Sequence, residues 1–141
     1  MKILLAVDGS DRSIAALDQL VAHVSWFREA PSVTLVNVHP PIPYAGAAAR
    51  AGRETVEKYY DEESQKVLQP AKARLESKGI QADSVALVGD PAEEIARYAA
   101  QHGKELIAMG THGRTGLSNL VLGSVATKVL AQSKVPVLLM R

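Results

Sequence analysis

With 141 residues, 47% of them apolar and 22% charged, the chain has the length and balance of one folded domain with its own core rather than of a disordered segment. A formal net charge of +1 leaves no basic footprint for nucleic acid or for an anionic membrane surface. The absence of cysteine removes disulfides, thiolate metal sites and a thiol nucleophile together, and is compatible with the cytoplasm, the expected location.

The opening run Met1-Lys2-Ile3-Leu4-Leu5-Ala6-Val7 stops at Asp8, too short for a secretory core with its cleavage region or for a bilayer span. No other stretch approaches spanning length, so a soluble protein without a membrane partner is expected. Residues 3–7 are apolar without alternation, which suits a strand covered on both faces. Ser10 or Asp8 can cap the helix that follows, where Ile14, Leu17, Leu20, Val21 and Val24 recur at helical spacing and Trp26 and Phe27 close the pattern. Residues 32–38, rich in β-branched side chains, form the second strand.

Three prolines then punctuate residues 39–46, and the segment through Arg53 reads as a long functional connection, a lid being the usual form. Residues 54–77 predict a long helix with Val56, Tyr60, Val67, Ala71 and Leu75 on one face. Pro70 inside it predicts a kink or a break. The charged residues around Tyr59 and Tyr60 read as a solvated helix surface with an apolar edge. Residues 82–88 give a third strand. Asp90-Pro91-Ala92-Glu93 is a helix start with a capping Asp, Pro in the first turn and Glu placed to return a bond. That helix runs to about His102-Gly103. The fourth strand covers residues 105–109, a last helix runs to about Gln132, and residues 135–140 close the chain as a fifth strand.

This alternation predicts an α/β domain spanning residues 1–141: one five-stranded parallel sheet of order 3-2-1-4-5 with helices on both faces. Right-handed crossovers put ligands at the carboxyl ends of the strands, where the order reverses. Asp8 ends the first strand, Val38 and His39 the second, and a glycine-bearing loop follows the fourth. A strand that breaks into glycines and re-enters a helix through Gly-Ser offers backbone N–H groups and a positive helix end to anionic oxygens. The loop is neither Walker A nor GxGxxG, and ATP is the expected ligand of its amides.

Gly110, Gly113, Gly123 and Ser124 stand as Gly, two residues, Gly, nine residues, Gly-Ser. Together with the opening Ile-Leu-Leu-Ala-Val-Asp-Gly-Ser and the closing Val-Pro-Val-Leu-Leu-Met, this spacing resembles the universal stress proteins of the UspA type over essentially the whole chain. The resemblance implies a Rossmann-like, adenine-nucleotide α-hydrolase-like fold and a stress-response protein that binds ATP, with or without Mg²⁺. Ala6, Val7 and Asp8 would border the adenosine, with Asp8 able to help hold a divalent ion. Val38 would offer main-chain hydrogen bonds to the adenine, and Met109 would pack near the nucleoside. Gly110 and Gly113 would line the phosphates, which Gly123, Ser124 and Val125 would grip. The family commonly forms homodimers through its last strand, here Val137 to Met140. Beyond the motif, Arg114 and His112 are placed to reach phosphate oxygens. The apolar residues within 115–122 predict a short helical turn.

No Ser-His-Asp order, nucleophile elbow or paired carboxylates argue for hydrolysis, so no catalytic residue is assigned and turnover is expected to be slow at most. His39 and His112, the two histidines nearest the crevice, share no metal-ligand spacing with each other. Two other readings remain. One is an interaction scaffold of the same fold with an unused pocket. The other is a receiver-type signalling domain, for which Asp8, Asp11 and Asp90 supply acids but nothing after residue 141 supplies the Lys or the final helix.

Overall fold

The computed structural model describes residues 1–42, 52–112 and 122–141. In chain order the elements are β1 (Lys2–Ala6), α1 (Asp11–Ala22), a 3-10 turn (Val24–Trp26), β2 (Ser32–His39), α2 (Arg53–Glu76), β3 (Ala82–Val88), α3 (Pro91–Gln101), β4 (Leu106–Gly110), α4 (Ser124–Gln132) and β5 (Val137–Met140). All the pairings are parallel and the strand order is β3-β2-β1-β4-β5, as the alternation of patterns predicted.

β1 lies at the centre because its side chains are apolar on both faces. Ile3 and Leu5 pack with Leu17, Leu20, Leu68 and Leu75 of α1 and α2, whereas Leu4 packs with Ile95, Ala99 and Val129 of α3 and α4. Ile3, Leu4 and Leu5 are fully buried, each worth about 1.5–3 kcal/mol of transfer free energy. Consecutive residues thus bind the two helical layers to one sheet, and this sandwich fixes where the strand ends lie.

One helix departs from its sequence pattern, and in a second the break offered as one alternative is not formed. α1 ends at Ala22, and Trp26 and Phe27 do not close it: the chain turns through the 3-10 element with Trp26 68% exposed, its ring against His23 at 4.2 Å. α2 runs unbroken through Pro70. Pro70 is exposed while Ser64, Leu68, Ala71 and Leu75 form the buried stripe, so the carbonyl deprived of its donor faces water. At the other helix starts, Ser10 caps α1 by accepting from the Ser13 amide, and Asp90 caps α3 by accepting from the Ala92 and Glu93 amides at 3.0 and 3.2 Å. The amide bonds and Lys128 hold the Asp90 carboxyl below its ordinary range.

Candidate functional site

The carboxyl ends of the strands surround a cleft of about 480 Å³, within the range of small-molecule sites. Ala6, Val7 and Asp8 come from the end of β1, Asn37, Val38 and His39 from β2, Met109 and Gly110 from β4, and Gly123, Ser124 and Val125 from the start of α4. Glu63, Lys66 and Val67 close the side toward α2, and Pro91 and Ile95 the side toward α3.

The cleft exists because β1 turns away before β2 does. Gly9, at φ +79°, makes the turn, and an added Cβ would lie 3.0 Å from Val67. The turn is braced by Asp8, whose Oδ1 accepts from the Ser10 amide at 3.0 Å and the Ser10 hydroxyl at 2.6 Å. Ser10 in turn caps α1, so Asp8 acts through a capping residue rather than as the cap.

The departure of β1 leaves part of β2 without its neighbour. The last β1–β2 bond runs from the Val7 amide to the Val36 carbonyl, at 3.0 Å. Backbone groups two residues on face the same neighbour, so the Val38 N–H and C=O point into the space that β1 has left. The ladder from β2 to β3 continues through Val38 and His39, and the Gly89 amide donates to the His39 carbonyl at 3.0 Å. Among the described residues no backbone group pairs with Val38 on the β1 side. A donor and an acceptor therefore stand side by side at the mouth of the sheet.

Opposite them lies the start of α4. Gly110 is the last residue of β4 rather than the first of a loop, and it packs tightly: a Cβ there would sit 3.3 Å from the His112 carbonyl and 3.4 Å from that of Arg12. The Thr111 amide donates to the Met140 carbonyl at 2.9 Å, and the Gly123 amide to the Thr111 carbonyl at 2.7 Å, so both ends of the intervening segment are pinned. Gly123 is the cap residue of α4, and among the described residues no side chain caps this helix. Its first amides and its positive end face the cleft without a carboxylate or hydroxyl of the cap position upon them.

Ala6, Val7, Asp8, Val38, Met109, Gly110, Gly123, Ser124 and Val125 are thus brought to one cleft. Gly113, Arg114 and the turn expected within 115–122 lie outside the described residues, apart from Leu122, which packs half-buried against the α3–α4 core. The segment from Pro43 to Ala51 also lies outside them. Sequence reasoning missed Asn37, Glu63, Lys66 and Val67. Asn37 carried a signal, a polar residue near the end of an apolar strand; the α2 residues carried none that separated them from a solvated helix. Tyr59 and Tyr60 do not form merely a solvated surface: their rings lie 5.7 and 5.0 Å from that of His39, and the Tyr60 hydroxyl accepts from the Ile42 amide at 2.8 Å. Glu63 accepts from Lys66 at 2.5 Å, and this bond holds the Lys66 ammonium above its ordinary pKa. Among the described residues no group of three or more His, Asp or Glu side chains could hold a metal ion, and no helix is long and apolar enough to cross a membrane.

Residues 1–141 match the Universal stress protein family. Universal stress protein YxiE of Bacillus subtilis is 35% identical over 147 aligned positions, covering 99% of this chain and 98% of the relative. Among solved structures, protein MJ0577 superposes with a TM-score of 0.83 at 32% identity, over 99% of this chain and 94% of that one. The Archaeoglobus fulgidus universal stress protein in complex with dAMP shares the fold, with a TM-score of 0.70 at 23% identity over 100% of this chain and 98% of its own. A match over the full length and a relative of similar length agree, and the chain belongs to the universal stress protein family of the UspA type.

Proposed function

We propose that this stress protein binds ATP in the carboxyl-edge cleft and acts through its nucleotide-bound state in the cytoplasm. The observation that carries the reading is the pair of backbone features that, among the described residues, stand open to one cavity: the unpaired edge at Val38 and the uncapped start of α4. The Val38 N–H and C=O match a base edge that presents an acceptor beside a donor, as adenine does. The α4 amides with Gly110, Gly123, Ser124 and Val125 suit phosphate oxygens, and Gly113 and Arg114 belong to the same proposed site. Ala6, Val7, Asp8 and Met109 would flank the nucleoside. Solved members of the family are in complex with cAMP, with dAMP and with AMP, which supports an adenine nucleotide as the ligand class.

The residues fit a nucleotide better than a metal. The Asp8 carboxylate already accepts two bonds from Ser10, so Mg²⁺ arriving with ATP would be carried mainly by phosphate oxygens and water. ATP supplies binding free energy here: a ligand held only by the folded state stabilises it by mass action. The chain's own part is to hold a donor and an acceptor at Val38 and to present the α4 amides. β5 is an outer strand of the sheet, with Val137, Leu138 and Leu139 half-buried, and its free edge is the proposed homodimer contact.

The direct test is to purify the protein, denature it and identify nucleotide in the supernatant. Adenine nucleotide near one equivalent per chain is expected. A nucleotide-free supernatant from folded protein that also fails to take up added ATP would leave the scaffold reading in its place.

A further inference from the structure

The Val7 carbonyl decides whether the Val38 edge stays open. If β1 continued beside β2, the rung after Val7 N–H to Val36 C=O would carry the Val38 amide to the Val7 carbonyl. That rung is not formed; the Val7 carbonyl instead accepts a 2.9 Å hydrogen bond from Asn37 Nδ2. Only the nitrogen of the Asn37 amide can donate to a carbonyl, so this bond fixes which way the amide points. Asn37 is 7% exposed. It shares the α1–α2 face of β2 with Leu35, whereas Val36 and Val38 pack on the α3–α4 face. A pull from Asn37 therefore comes from outside the plane of the sheet.

We propose that Asn37 is the positioning residue of the base subsite: it turns the Val7 carbonyl toward α1 and α2 and so keeps the Val38 N–H and C=O for a ligand. The inference rests on the nucleotide reading above and deepens it. An aliphatic side chain at this position would suit a buried strand better than an amide, whose burial is costly unless it is bonded. What the amide supplies is the bond to Val7, and through it an unfinished rung. Asn37 touches the backbone that frames the ligand, so its effect falls on recognition of the base and spares the phosphates.

The test compares ATP with inorganic tripolyphosphate, which has no base, on nucleotide-stripped wild type, Asn37→Leu and Asn37→Ala. Backbone-amide hydrogen exchange is followed at Val38 without ligand. In wild type, ATP should bind more tightly than tripolyphosphate and the Val38 amide should exchange freely. In the variants, ATP affinity should fall roughly tenfold, the worth of about one hydrogen bond, with tripolyphosphate unchanged. Val38 exchange should slow as the rung to Val7 closes. Asn37→Ala, the smaller change, serves if the leucine variant does not fold. Folded variants that keep both the ATP preference and rapid Val38 exchange would overturn the role of Asn37 alone. Wild type that binds ATP no better than tripolyphosphate would overturn the base subsite, and this inference with it.

Discussion

The two ends of the sheet treat their backbone in opposite ways. At the amino end the polar groups close on one another. The Glu105 amide donates to the Lys2 carbonyl at 2.8 Å, and the Lys2 amide donates back to the Glu105 carboxylate at 2.7 Å. The Ser32 amide donates to the Met1 carbonyl at 2.9 Å, and Lys104 reaches the buried Thr34 hydroxyl at 2.6 Å. Burial there lowers the Lys104 pKa below its ordinary value, the mark of an amine drawn into the fold. At the carboxyl end the β1–β2 ladder stops at Val36, and among the described residues α4 begins without a capping side chain. Closed hydrogen bonding at one end stabilises the fold; open hydrogen bonding at the other is a cost that a ligand can offset. The same strands run between both ends, so stability and binding should respond to different lesions.

That separation can be broken in graded steps. The largest effect is expected near the closed end. Ile3→Ala removes a fully buried side chain from the central strand and should lower unfolding free energy by roughly 2–5 kcal/mol in chemical denaturation. ATP affinity of the folded fraction should change less than about twofold; a parallel collapse of affinity would mean that the two ends are coupled.

Next comes the open end. Gly123 has φ −68° and ψ 156°, an extended cap conformation that any residue adopts, and Asp is among the strongest caps. Gly123→Asp should therefore keep or slightly raise the melting temperature of ligand-free protein while weakening ATP by about a hundredfold or more, since a carboxylate takes the amides that face the phosphates. Loss of binding together with loss of stability would contradict an independent open end.

A smaller effect belongs to the neighbouring helix start, which is closed by a side chain. Asp90→Ala removes the cap of α3 and should cost about 1 kcal/mol near pH 7. The folded Asp90 carboxyl titrates below its ordinary value of 3.8, so its stabilisation is fully present above that pH and is lost as the pH falls through the folded value. The gap between wild type and variant should close below about pH 3.8. A gap of constant size down to pH 2 would rule out the ionised carboxylate as its source.

The same contrast explains what the amino-acid sequence made legible. Continuous apolar runs such as Ile3-Leu4-Leu5 and helix starts such as Asp90-Pro91 are local signals, and the layers and strand order follow from them with few alternatives. The strand-end residues of the cleft were legible for the same reason, since topology alone brings the tips of β1, β2 and β4 together. Contacts set by distant packing were not. The exposed side of Pro70 that lets α2 continue depends on which stripe the sheet buries, and the seat of Tyr60 beneath Ile42 joins residues 18 apart. Asn37 needed the register of β1 on β2 before its bond to Val7 could mean anything.

The most direct test of an open carboxyl edge that holds ATP is a backbone-amide NMR titration of nucleotide-stripped protein with ATP. Saturable shifts at Val38, Gly110, Gly123, Ser124 and Val125 are expected, with the amides of Lys2, Ser32 and Glu105 at the closed end unmoved. Saturation of the protein without movement at Val38 and Gly123, or no saturation at millimolar ATP, would contradict it.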